Sequence, residues 1–286
     1  MNKVFSFNRF KKYFCTDLRS CASVYGLNFV SICAIAPVVT YIIYVIFSLI
    51  FTGEWHAPGV VFRATVFAVA MVCLLISSPV KCYGGITDRK YGSFWLTVPA
   101  SAFEKTVSMV LISCIIVPVF GFLAYSLVDA LLCLVDRTCG QGIFALMVDS
   151  RSLISEWLGV LGMEVGDEMP ASVLAFAHQI TNPWLYVDDV IQCVLPFLLG
   201  AVFFKSNKVI KTLLVLAGFS IVMSMISIPL VGNVAVNMDA ETMQSLAEMF
   251  TGPMFSHIAL WDTISDTIVN AAMFVAVYFR VKTIKH

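Results

Sequence analysis

Arg63, Asp129, Asp188, Asp189, Asp262 and Asp266 stand at the edges of long apolar runs. A charge in such a place is costly, so each is a candidate for function. Asp262 and Asp266 are four residues apart, which puts both carboxylates on one face of a helix. Such a pair could hold a cation or accept the guanidinium of Arg63. At headgroup level the same groups would simply be hydrated, and this plainer placement is the expected one. A carboxylate pair can also serve a membrane hydrolase, but nothing in the spacing turns these aspartates inward.

Other chemistry is missing. No H-E-x-x-H, G-x-S-x-G or paired C-x-x-C occurs, and the histidines His56, His178, His257 and His286 are isolated. The stretch "GGITDRK" lacks the spacing of a phosphate loop, so any ATP must be hydrolysed by another chain. Nine cysteines are scattered without zinc spacing, most of them in or beside apolar runs, where cysteine behaves as a small hydrophobe. Cys133 and Cys139 are the two that an oxidising exterior would reach. Beyond the flanks of the apolar runs there is no basic surface for nucleic acid. The expectation is a non-enzyme with no cofactor of its own.

Composition dictates the kind of element that must position the charged residues. The 286 residues are 59% hydrophobic and 13% charged, with a mean hydropathy of +0.90. A soluble domain carries about 25% charged residues, and a larger core cannot absorb the deficit because the surface must still be covered with polar groups. The fold class expected is an all-α integral membrane protein, a single transmembrane domain over the whole chain. About 20 residues cross the hydrocarbon core, and six segments qualify: 27–51, 59–80, 107–134, 185–204, 209–231 and 259–279. The fourth is the weakest, with Asp188 and Asp189 near its start and Pro196 inside it. The first is too long for a signal-peptide core, and no small-residue cleavage site follows it.

Fifteen of the eighteen Lys and Arg residues fall in the terminal segments and in the connections 81–105 and 205–211. Only Arg63, Arg137 and Arg151 fall on the other side. Positive charge stays inside, so both termini are expected in the cytoplasm and the chain in the inner (plasma) membrane.

Between the spans, residues 5–24 carry Phe7, Phe10, Phe14, Leu18 and Cys21 at three- and four-residue steps, with Arg9, Lys12, Thr16 and Arg19 opposite. This pattern suits an interfacial amphipathic helix against anionic membrane lipid. The outer loop, 134–184, contains two short amphipathic stretches suited to a cap over the bundle, and 232–258 contains two more, broken at Gly252-Pro253. The inner stretch "ITDRKYGSFWLTVPASAFEK" reads as two elements and a corner. Thr87 can cap a short helix from Asp88, whose carboxylate suits a helix N-terminus. Pro99 disfavours helix at Val98. Ser101 and Glu104 then form the S-x-x-E capping box that starts the third span.

That stretch resembles the first cytoplasmic loop of type 2 ATP-binding-cassette (ABC) exporter permeases, a pattern of acidic-Arg-x-x-Gly-Thr, apolar residues, Pro-x-Ser and a downstream lysine. Asp88, Arg89, Gly92, Ser93, Pro99, Ser101 and Lys105 fall on it, with Asp and Ser standing where Glu and Thr are usual. The amphipathic stretch 5–24, the six spans and the short pieces before the last span are similar to the family's plan. The resemblance implies that 86–105, Glu104 included, is a coupling element docking on a separate cytoplasmic ABC ATPase. It also implies a homo- or heterodimer with a second permease chain. The alternative is a six-span scaffold or sensor of related fold that does not transport.

Overall fold

The computed structural model describes residues 5–87, 92, 95, 97–140, 142–144, 183–236 and 253–284, and within these no side chains in 183–186, 226–236 and 253–263. Every element among the described residues is helical. In chain order these are α1 (Phe7–Thr52), α2 (Val60–Tyr83, ending in a 3-10 turn, Gly84–Thr87), α3 (Ala102–Val135), α4 (Pro183–Phe203), α5 (Lys208–Val236) and α6 (Pro253–Thr283). Five are long and apolar enough to cross a membrane: α1, α2, α3 and the stretches Lys208–Met225 of α5 and Ile264–Thr283 of α6. These helices are compatible with a membrane protein. The expected outer cap in 134–184 falls largely outside the described residues, as do the pieces in 237–252.

Two helices carry a wide turn, Ser31–Ile35 in α1 and Ile112–Ile116 in α3. Both have the same local cause. Pro37 and Pro118 lack an N–H, and the ring of each collides with the carbonyl four residues earlier, at Cys33 and Cys114. Widening the preceding turn relieves the collision without ending the helix.

The first helix departs from expectation. A separate interfacial helix over 5–24 requires a corner before the first span, but α1 runs unbroken for 46 residues, about 69 Å at 1.5 Å per residue. Gly26 alone does not break it. The apolar stripe of 5–24 is also answered by protein. Tyr13, Cys21 and Tyr25 are buried, and Phe14 and Leu18 pack against a core that includes Met109, Ile112, Leu195, Leu198 and Val277. Phe7 leaves the stripe and is 69% exposed. Lys11, Lys12 and Arg19 face out.

The main core draws on α1, α2, α3, α4 and α6, with α4 packed on α2, α5 and α6. A smaller cluster joins α2 to α3, where the Phe67 ring meets the edges of Phe122 and Tyr125. At the turn between α4 and α5, Gly200 lies so close to Thr212 that a Cβ would sit 1.9 Å from its hydroxyl. Overpacking of this kind costs about 1–3 kcal/mol. Gly200→Ala should therefore lower the melting temperature of the purified chain. Gly218→Ala, with nothing within 4 Å, should raise it slightly, since glycine in a helix costs roughly 0.5–1 kcal/mol.

Candidate functional site

The stretch leading into α3 is built around one carboxylate. The capping box is present: Glu104 N–H donates to Ser101 Oγ at 3.2 Å, and Ser101 N–H to Glu104 Oε2 at 2.9 Å. Glu104 takes more than its cap requires. Its Oε1 accepts the Ser6 N–H at 2.8 Å, and its two oxygens take Arg9 Nε and Nη2, each at 2.8 Å. The Glu104 side chain has no exposure at all, while that of Arg9 keeps 41%. The start of α1 is thus fastened to the start of α3. Rings extend the fastening, from Phe10 through Phe5 and Phe103 to Tyr278 of α6.

The corner forms at the expected place. Thr97 is helical, Val98 bends, and Pro99 and Ala100 are irregular before α3 begins. Lys105 turns back into the loop, donating to the Trp95 carbonyl at 2.8 Å with its ammonium 4.4 Å from the Trp95 ring centre. Of the residues expected to meet a partner, Gly92, Glu104 and Lys105 are buried, Ser101 is half-buried and Pro99 is exposed. Glu104 and Lys105 therefore position the loop and cannot themselves be its contact surface. Asp88, Arg89 and Ser93 lie outside the described residues. The Thr87 hydroxyl does not point forward as a cap. It donates to the carbonyls of Gly84 at 3.1 Å and Phe204 at 3.3 Å, and accepts Lys208 Nζ at 2.7 Å. Lys208 also donates to the Gly84 carbonyl, which puts a cation at the negative end of α2.

No family, no curated protein and no solved structure matches the chain. Its function must be read from its own residues and their geometry.

At the other end of the bundle, Arg63 and Asp129 meet. Arg63 Nη1 donates to Asp129 Oδ1 at 2.9 Å and Nη2 to the Cys139 carbonyl at 2.7 Å, while Asp129 Oδ2 accepts the Ile143 N–H at 2.8 Å. Both side chains are nearly inaccessible, 6% and 4% exposed. Both are withdrawn from the surface, and Arg63 is paired with Asp129. Asp266 instead accepts Gln192 Nε2 at 3.0 Å, and Asp188 accepts Asn270 Nδ2 at 2.8 Å. The Asp262 side chain lies outside the described residues. Cys133 and Cys139 are free thiols, and Cys133 Sγ accepts Arg63 Nη1 at 2.9 Å.

Two carboxylates that sequence reasoning passed over also hold the ends together. Asp17 accepts Ser108 Oγ at 2.6 Å and the Tyr83 hydroxyl at 3.2 Å, joining α1, α2 and α3. Its signal was available: it falls on the Phe10–Phe14–Cys21 stripe, where an acid needs a partner. Asp136 accepts Thr138 N–H and Oγ1, the Tyr41 hydroxyl and Trp55 Nε1, the last at 2.9 Å.

Breaking a buried pair from one side costs about 3–5 kcal/mol because the survivor is left uncompensated. Arg63→Ala and Asp129→Ala should each destabilise by that amount in denaturant unfolding of the purified chain. The double replacement Arg63→Met with Asp129→Leu should recover most of it.

Hydrogen bonds from Thr138, Tyr41 and Trp55 hold the Asp136 carboxyl well below the usual carboxylate range. A depressed folded value stabilises fully above the unfolded one, about 3.9, and fades as pH falls through the folded one. The melting-temperature gap between the parent and Asp136→Asn should hold constant from pH 8 down to about 5. It should narrow only under more acid conditions.

Proposed function

We propose that the chain is the membrane-spanning permease subunit of a type 2 ABC exporter. In this reading all six helices cross the inner membrane, α4 included, with both termini and 86–105 in the cytoplasm. A separate ABC ATPase docks on the exposed corner at Pro99 and the outward basic face of α1, and a second permease chain completes the path. No ATP is bound or cleaved by this chain.

The observation that carries the reading is the Glu104 fastening. A loop that only joined two spans would need no buried carboxylate shared by Ser6, Arg9 and Ser101. Here a push on the loop reaches α3 through its cap and α1 through Arg9 at the same time. Lys105 keeps the loop stiff by gripping the Trp95 carbonyl. Phe103 against Tyr278 passes the same displacement to α6. Closure of an ATPase dimer would thus tilt three helices from one point, and the cargo would move between two copies of the bundle.

The test is copurification of the tagged chain from its native host in mild detergent. An ABC ATPase should accompany the parent and be lost from Pro99→Asp, which changes an exposed corner and should leave size-exclusion behaviour intact. Arg9→Ala should retain the ATPase but uncouple it, so that cargo no longer stimulates ATP hydrolysis. If well-folded parent brings down no ATPase, the exporter reading fails and the non-transporting scaffold replaces it.

A further inference from the structure

The seam between α4 and α6 holds polar groups that the fastening does not use. The two helices run parallel: Asp188 meets Asn270 near one end, and Arg280 lies over the Phe203 ring at 5.2 Å near the other. Asp188 and Gln192 are four apart on α4, and Asp266 and Asn270 are four apart on α6, so each pair shares the face turned to the other helix. The hydrogen bonds cross, Asn270 to Asp188 and Gln192 to Asp266.

Asn270 is 8% exposed, and its Oδ1 has no hydrogen-bond partner. Its orientation is fixed by chemistry, because only the NH₂ can donate to the Asp188 carboxylate. An acceptor is therefore left buried beside the Asp188 carboxylate, which is unfavourable. Interhelical glue alone would not leave it so. A ligand that relieves this site must bring positive charge and donors. Among the described residues no group of three His, Cys, Asp or Glu side chains could hold a metal ion, and a hard cation such as calcium takes about six to eight oxygens. A primary ammonium fits better, being a compact charge with three donors. Val269, next to Asn270 and three residues from Asp266, is exposed on the flank of that face and suits a hydrocarbon tail.

We infer that the seam formed by Asp188, Gln192, Asp266 and Asn270 binds the primary ammonium group of an amphiphile. As a binding site it stands by itself; as the place where cargo is recognised it rests on the exporter reading.

The experiment uses the full chain in non-ionic detergent, with binding read as a rise in melting temperature. The probes are n-octylammonium, octyltrimethylammonium, octanol, and the chlorides of sodium, potassium and calcium. Octylammonium should stabilise most, and the trimethyl analogue, which has no N–H, clearly less. The isosteric variants Asp188→Asn and Asp266→Asn should each weaken octylammonium binding by about tenfold or more, the loss of one charged hydrogen bond. If either variant fails to fold, the probe series on the parent still decides. Equal shifts from octanol, or shifts unchanged in the folded variants, overturn the site. Equal shifts from an inorganic cation overturn the ammonium assignment in favour of an ion site. Binding that survives without a copurifying ATPase removes the exporter reading and keeps the site. An ATPase with no binding does the reverse.

Discussion

A carboxylate wholly withdrawn from water must be answered by donors, and Glu104 is answered from three places: its own cap at Ser101, the Ser6 N–H and the Arg9 guanidinium. Charge-assisted bonds of this kind are stronger than neutral ones, but their geometric effect matters more than their strength. The first turn of α1 cannot slide or rotate without leaving that carboxylate unpaired, and α3 cannot start one residue earlier or later. The path of the loop, the packing of Phe14 and Leu18 on the core, and the level at which Asp17 meets Tyr83 and Ser108 all depend on that single registration.

The same device recurs at other helix contacts. Arg63 with Asp129 registers α2 on α3, and the crossed amides register α4 on α6. Lys208 registers the start of α5 on the end of α2. Apolar side chains against apolar neighbours tolerate sliding, because one leucine surface much resembles the next. A polar group has one partner at one height. The bundle is thus apolar in bulk and specified by a few polar contacts near its ends.

What could be read from the residues alone divides along that line. Local rules were legible: the capping box at Ser101 and Glu104, the corner at Pro99 and the long apolar helices all depend on neighbours in the chain. The stripe of 5–24 was legible as a stripe, but not its destination, because lipid and a protein core ask for the same spacing. The continuity of α1 was missed for want of a stop signal, since polarity changes near Gly26 without any break in helical propensity. Pairing across helices was the hidden part. Asp262 and Asp266 were the carboxylates that the spacing offered to Arg63, and only the packing of α2 on α3 brings it to Asp129.

The fastening at Glu104 also dictates an order of events during synthesis. Ser6 and Glu104 are 98 residues apart, so at about 5–20 residues per second the N-terminal segment leaves the ribosome roughly 5–20 s before its partner exists. For that interval Arg9 does not have Glu104 to grip, and the apolar face of the first helix has α2 only towards its end and α3 not at all. The nascent chain must be held by something else, a membrane surface or a chaperone, until Glu104 has emerged. The segment around Ser6 and Arg9 is made well before Glu104 and can be fastened only after it.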